Sequence, residues 1–425
     1  MNRRFRAILG LLGVFTATAS AGADALIDPA ALRQAEYSAF WEAQLPLREG
    51  DGATGIHLVD DNLYVTTTEG EVLAIHPGAG LLRWARRVTQ RTFTIFPPTH
   101  IVNDTGTGPV VFATTTTLTV LDRYSGDPLA SAPPQFAIGS GAAGYVVRAQ
   151  DDDETDVQLY RLIVGSSDGH VYAVQWKLPT QPRMFNLWRA AAGGPVQATP
   201  VFGDPDHVYC ASMGGNVYCC TVATKAKQWE FRAGRAIAGN PELGDDALYV
   251  ASADRSLYKL DRLSGLVRWR RRLPELLQTG PTLLGDAVYQ HCPGTGLHAV
   301  DARYGDILWT LPEGRQAVAR AGDRVVVSLG GDRLATVNAA TGTVLAELPL
   351  AYPAHVAVNR QDGAVYAVSP RGHLLCARPV GDAPLSRMEL DAAHATLNRP
   401  PTRTPAPATA EPAVAPRTVV EQQEE

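Results

Sequence analysis

The chain has 425 residues, 38 of them Lys or Arg and 43 Asp or Glu, for a net charge of −5. That balance excludes the basic face a nucleic-acid binder needs, and an odd total of five Cys excludes a fully paired disulfide framework. A chain of this length ordinarily divides into two or more domains, unless one closed ring accounts for it.

The first segment, 1–23, reads as a secretory signal. Arg3, Arg4 and Arg6 precede an apolar run over 7–15, and small residues then offer cleavage after Ala21, Ala23 or Ala25. The run is too short to cross a membrane. Phe5 follows the paired arginines one place earlier than a twin-arginine signal prefers, which points to the general secretory route. No Cys stands near the cleavage region, so no lipid anchor is expected. Loss of the three signal arginines takes the charge from −5 to −8, and the mature protein is expected to be soluble, in the periplasm or secreted.

Next comes "DPAALRQAEYSAFWEA" (28–43), the one stretch with a helical period. Its second half, continued as "YSAFWEAQLPL", also carries Trp41 in the pattern of the strands that follow. From here the chain repeats itself. Aligned units are "VLAIHPGAGLLRW" (72–84), "LTVLDRYSGDPLA" (118–130), "VYAVQWKLPTQPRMFNLW" (171–188), "VYCCTVATKAKQW" (217–229), "LYKLDRLSGLVRW" (257–269), "LHAVDARYGDILW" (297–309) and "LATVNAATGTVLA" (334–346). Trp188, Trp229, Trp269 and Trp309 fall about 40 residues apart, the length of one four-stranded propeller blade. Trp84 belongs to the same column, where the second and last units carry Ala130 and Ala346.

Within a unit the carboxylates are turn residues. Asp122, Asp261 and Asp301 cap the backbone at the start of a tight connection, and Gly126, Gly265 and Gly305 supply its positive φ. Upstream, Asp168-Gly169 and Gly214-Gly215 fit two-residue type I′ hairpins. Each unit thus has an inner strand, two strands joined by the hairpin, and an outer strand bearing the Trp. The final unit, "AHVAVNRQDGAVYAVSPRGHLLCARP", stops one strand short. The strand around Trp41 supplies it, which closes the ring and removes exposed edges. The expectation is an all-β chain with a single β-propeller over 24–390, eight blades, with seven as the alternative.

Several side chains invite chemistry. The run 151–156, "DDDETD", lacks the Gly and terminal Glu of a calcium loop and reads as a solvated insertion. If Gly214-Gly215 is a two-residue turn, Cys210 lies opposite Cys219, a possible cross-strand disulfide. His291, Cys292 and His298 come close across a hairpin but lack a zinc spacing, and strand packing is the preferred reading. Arg268, Arg270, Arg271 and Arg272 surround Trp269 on an outer strand, a possible partner surface against ordinary solvated charge. Beyond 390, Pro, Ala and Thr dominate, and a disordered tail is expected over 391–425.

The pattern of Ala299, Asp301, Gly305 and Trp309 resembles the tryptophan-docking motif of the pyrroloquinoline-quinone-like (PQQ-like) β-propeller superfamily, over 41–378. The resemblance implies that the Trp of one blade docks on the turn of its neighbour, making Trp41, Trp84, Trp188, Trp229, Trp269 and Trp309 structural. In kind it is closest to the BamB-like scaffold of the outer-membrane β-barrel assembly machinery. It therefore implies a monomeric, non-catalytic exported propeller that holds envelope proteins or peptides, without cofactor. The same superfamily contains quinoprotein dehydrogenases, which imply the alternative of an oxidoreductase holding PQQ with calcium. Those enzymes carry an adjacent Cys pair over the quinone, and Cys219 and Cys220 are adjacent. However, they occupy strand positions that a sister unit fills with Ala173 and Val174. No catalytic, cofactor-binding or metal-binding residue can be assigned from the resemblance.

Overall fold

A computed structural model describes residues 25–400 except 92, 104–105, 151–155, 179–180, 205 and 383–384. The signal segment, most of the acidic run and residues 401–425 therefore lie outside the described residues.

Among the described residues, eight antiparallel sheets of four strands stand around one axis. Blades 1 to 7 cover 53–87, 99–132, 138–191, 201–232, 242–272, 282–311 and 316–349. Blade 8 takes three strands from 355–379 and its outermost from Tyr37–Gln44. That strand pairs with His373–Pro379 from Tyr37↔Pro379 to Gln44↔His373, so the two ends of the ring are hydrogen-bonded to each other. The ring has eight blades, not seven.

Packing explains the hydrophobic pattern. A second strand such as Asn62–Thr67 or Ala247–Ser252 is buried at every position, because both faces of a blade are covered by its neighbours. Only the outer strands alternate, as Lys227–Arg232 does around buried Trp229.

Each docking Trp spans a blade junction. The indole N–H of Trp309 donates to the Ala339 carbonyl at 2.8 Å, and its ring lies 5.8 Å from that of Tyr289. Trp41, Trp84, Trp188, Trp229 and Trp269 donate likewise to the carbonyls of Pro77, Arg123, Val222, Arg262 and Ala302, at 2.9–3.2 Å. In every case the acceptor follows the residue that opens the next blade's turn, His76, Asp122, Thr221, Asp261, Asp301 or Asn338. Those turns are held by the carboxylates: Oδ1 of Asp122, Asp261 and Asp301 each accepts two backbone N–H groups, and Gly126, Gly265 and Gly305 donate back to the same residues' carbonyls.

Two junctions lack the outer Trp, and both are filled otherwise. Blade 8 has no turn for blade 7 to dock on, since its outer strand arrives from the other end of the chain. There Ala346 packs with Leu26, Ile27 and Leu32, carried by helix α1 (Pro29–Gln34) and the residues before it. The helical stretch is thus only 6 residues, capped by Asp28, and strand begins at Tyr37. Between blades 2 and 3, Ala130 packs with Trp176, a fully buried residue of blade 3's own third strand.

Three sequence expectations need correction. The hairpins at Asp168-Gly169 and Gly214-Gly215 are not two-residue type I′ turns. Ser212 N–H donates to Asn216 and Gly215 N–H to Ser212, leaving a three-residue loop in which Gly215, at φ +86°, takes the left-handed position; the pairing Gly165↔Val171 places the same loop at 167–169. The extra residue moves the register by one. Cys210 therefore pairs with Tyr218 and Cys219 with Tyr209, on opposite faces of the sheet, so no Cys210–Cys219 disulfide forms and all five Cys are free. In addition, helix α2 (Arg387–Ala395), closed by a capping box between Ser386 and Glu389, crosses the expected boundary at 390, so the tail does not begin there.

Candidate functional site

The inner strands surround a cleft of about 1060 Å³ along the axis. His57, Arg91, Asn240, Gln316, His355 and Arg360 line it. Its charges are already matched. Arg360 of blade 8 reaches Glu242 of blade 5 with both forks, Nε to Oε1 at 2.5 Å and Nη2 to Oε2 at 2.8 Å. Arg91 faces Glu69 at 3.5 Å. Burial, then the charge of His355, pushes the His57 pKa down to about 4, so this imidazole is neutral near pH 7.

A second polar cluster lies where blades 1 and 2 meet. Asn62 donates to the Tyr64 hydroxyl, which bonds His100 Nε2 at 2.8 Å, and His100 Nδ1 bonds Asp60 at 2.7 Å. The buried Arg123 guanidinium lies 3.4 Å from both Asp60 and Asp61. A hydroxyl, an imidazole and a carboxylate in line could move a proton. Yet Tyr64 is fully buried beneath Phe112 and Trp84, so no substrate reaches its oxygen. The hydrogen bond to His100 holds the Asp60 carboxyl below its ordinary range, while burial holds His100 down. The cluster ties two blades together. It was not legible in the sequence because Asp60 and His100 stand 40 residues apart with no local motif.

The expected basic surface is largely tied up within the protein. Arg268 bonds Asp261 at 2.6 Å and also Asp246, and Arg271 bonds Asp306 at 2.6 Å and the Gly305 carbonyl. Arg270 bonds Ser256 and covers the Tyr258 ring at 5.4 Å. Only Arg272 has no such partner among the described residues.

What stands beside those arginines is apolar. Leu263, Leu266 and Val267 on blade 5 are 62%, 70% and 46% exposed, Tyr304, Ile307 and Leu308 on blade 6 are 63%, 42% and 42%, and Val344 and Leu345 on blade 7 are 41% and 44%. All lie in the turn or between it and the Trp column; Val267, Ile307 and Val344 share one repeat position, two before the column, and Leu308 and Leu345 share the next, which blade 5 fills with Arg268. Arg271 of blade 5 contacts the blade 6 turn, so the outer edges of these two blades adjoin. The signal was present in the repeats as "GLVRW", "GDILW" and "GTVLA".

The remaining metal-type residues are engaged in packing. His298 bonds the Thr295 and Thr310 hydroxyls, each at 3.0 Å, and Cys292 sulfur accepts the Glu275 N–H. Among the described residues no group of three His, Cys, Asp or Glu side chains is placed to hold an ion, and no helix is long and apolar enough to cross a membrane.

Comparison with known proteins agrees with this architecture. The family described as "Outer membrane protein assembly factor BamB" matches residues 185–321 and 243–396. Among solved structures, BamB from Moraxella catarrhalis is similar at a TM-score of 0.62 and 18% identity, over 82% of this chain and 99% of that one. The computationally designed Ika8 protein is similar at 0.58 and 17% identity, over 78% and 98%. At such identities the likeness is one of fold. No curated protein matches the sequence.

Proposed function

Because the chain is a PQQ-like β-propeller of the BamB-like kind, we propose that it is a non-catalytic exported scaffold that holds another protein in the cell envelope along the rim of blades 5 to 7. The observation that carries this reading is the stripe of eight exposed apolar side chains on three consecutive blades. Exposed patches of this kind mark interaction surfaces. Arg268, Arg271 and Arg320 are paired with carboxylates of the rim, which reduces what an anionic lipid surface gains from it. A protein segment with spaced apolar side chains gains the whole stripe.

Photo-cross-linkers placed at Leu266, Tyr304 and Leu308 in cells are expected to trap one partner, and one at exposed Glu49 is not. The double variant Leu266→Glu/Leu308→Glu should lose the partner at unchanged melting temperature. Equal trapping at Glu49, or a partner retained by the double variant, would sink the proposal.

The second reading, an oxidoreductase holding PQQ, draws on the volume of the axial cleft. PQQ is a tricarboxylate that binds together with calcium. The cleft's Arg91 and Arg360 already face carboxylates, and no three-ligand group for an ion is found among the described residues. This donor set does not suit the group. Calorimetric titration with PQQ and calcium is expected to give no heat of binding, and micromolar affinity would restore the reading.

A further inference from the structure

Blade 4 departs from its neighbours in a way that the scaffold does not require. Its third-to-outer turn carries Lys225, at φ +60°, where five other turns place a Gly against the docking Trp. A non-glycine residue in the left-handed region costs roughly 1–2 kcal/mol, and strain of this kind is retained where something else depends on it. Beside this turn, between blades 3 and 4, lies a cavity of about 200 Å³ lined by Trp188, Cys210, Tyr218, Cys220, Lys225 and Lys227.

Two thiols open into it. Register pairs Cys210 with Tyr218 and Val208 with Cys220, which sets Cys210 and Cys220 diagonally on the same face, while Cys219 points to the other face among Tyr209 and Trp229. Diagonal neighbours lie roughly 7–8 Å apart at Cα, beyond the roughly 4.4–6.8 Å a disulfide spans. Two metal–sulfur bonds of roughly 2.3 Å each suit a gap that one sulfur–sulfur bond cannot close.

We propose that Cys210 and Cys220 form a two-coordinate site for a soft monovalent cation, copper(I) in chemical class. Thiolates select copper(I) among the common ions, and zinc, which wants four ligands, finds too few here. On binding, each thiol gives up its proton to solvent and each sulfur donates an electron pair to the ion. No electron is transferred. One cation between two thiolates leaves a single negative charge, and Lys225 at the cavity wall offsets it, since the ammonium of Lys227, the other lysine there, is already held by Glu230 at 2.5 Å. The Lys at the turn then has a role that a Gly could not fill.

The test uses the full mature chain under anaerobic conditions, with copper(I) supplied as its bicinchoninate complex. One equivalent is expected to move to the protein, with near-ultraviolet charge-transfer absorption and quenching of part of the Trp emission through Trp188. Cys210→Ser and Cys220→Ser should each weaken binding by at least roughly 100-fold, more than altering an outer-shell partner does. Cys219→Ser should bind as the parent does. Lys225→Gly, which restores the turn of the other blades, should weaken binding while raising the melting temperature. The proposal fails if all copper stays with the chelator, if Cys219→Ser loses copper as fully as Cys210→Ser, or if thiol counting on the exported, unfolded protein finds Cys210 and Cys220 joined as a disulfide.

Discussion

At the scale of single residues, the junctions depend on one indole each. Trp309→Ala removes a ring that is only 6% exposed together with its hydrogen bond to Ala339, and should cost about 3–5 kcal/mol; an unchanged thermal unfolding curve would show that the junction is held elsewhere. The glycine opposite the ring is constrained twice over. At Gly305 φ is +78° and an added Cβ would lie 2.7 Å from the Trp269 ring, whereas at Gly294 φ is +83° with open space around it. Gly305→Ala is therefore expected to lose roughly 1–3 kcal/mol more than Gly294→Ala, measured by denaturant midpoints. His57 makes a prediction of the opposite kind, in pH. Its pKa falls from 6.5 to about 4 on folding, so its contribution is complete above about pH 6.5. It is lost as the pH drops towards 4, because only the unfolded chain takes up the proton. In His57→Gln the gap in melting temperature between about pH 7 and about pH 4.5 should narrow, and an unchanged gap would mean that the folded imidazole titrates normally.

At the scale of strands and turns, the two junctions without an outer Trp show what the repeat leaves open. Trp176 fills the space beside Ala130, but its buried indole N–H meets no acceptor among the described residues. Trp176→Phe should consequently be tolerated within about 1 kcal/mol, since it discards an unpaired donor. Trp176→Ala should cost about 3–5 kcal/mol, and calorimetric melting separates the two. The repeat made the blades and the closing strand legible, because Asp301, Gly305 and Trp309 recur at fixed spacing and Trp41 fits the same column. Trp176 was not legible as a plug: it sits in a third strand, off the column, and only the neighbour's Ala130 gives it a purpose. Nor were the hairpins. Gly214-Gly215 suits a two-residue turn by composition, and only the Ser212–Asn216 bond shows that the loop holds three, which is also why Cys210 and Cys219 part. The apolar rim was written in the repeats but reads as ordinary strand until exposure is known. The Cys210–Cys220 pocket depends on register and could not be seen without it.

At the scale of the whole ring, stability rests on closure. Without residues 1–44, blade 8 keeps three strands and presents His373–Pro379 as an open edge. Such a chain is expected to associate through that edge, and a monomer of unchanged melting temperature on size exclusion would show that closure is dispensable. The same seam has a direction. Tyr37 faces Pro379, and Val380 N–H donates to the Glu36 carbonyl at 2.9 Å, so both chain ends leave the ladder at the same end of it. Tension applied between them, once Ile27 and Leu397 have let go of Leu350 and Arg83, loads those hydrogen bonds one after another rather than together. The ring is thereby a zipper to a mechanical pull while it remains a closed wall to heat, and in a force experiment blade 8 should open first and at low load, well before any blade that carries all four strands in one stretch of chain.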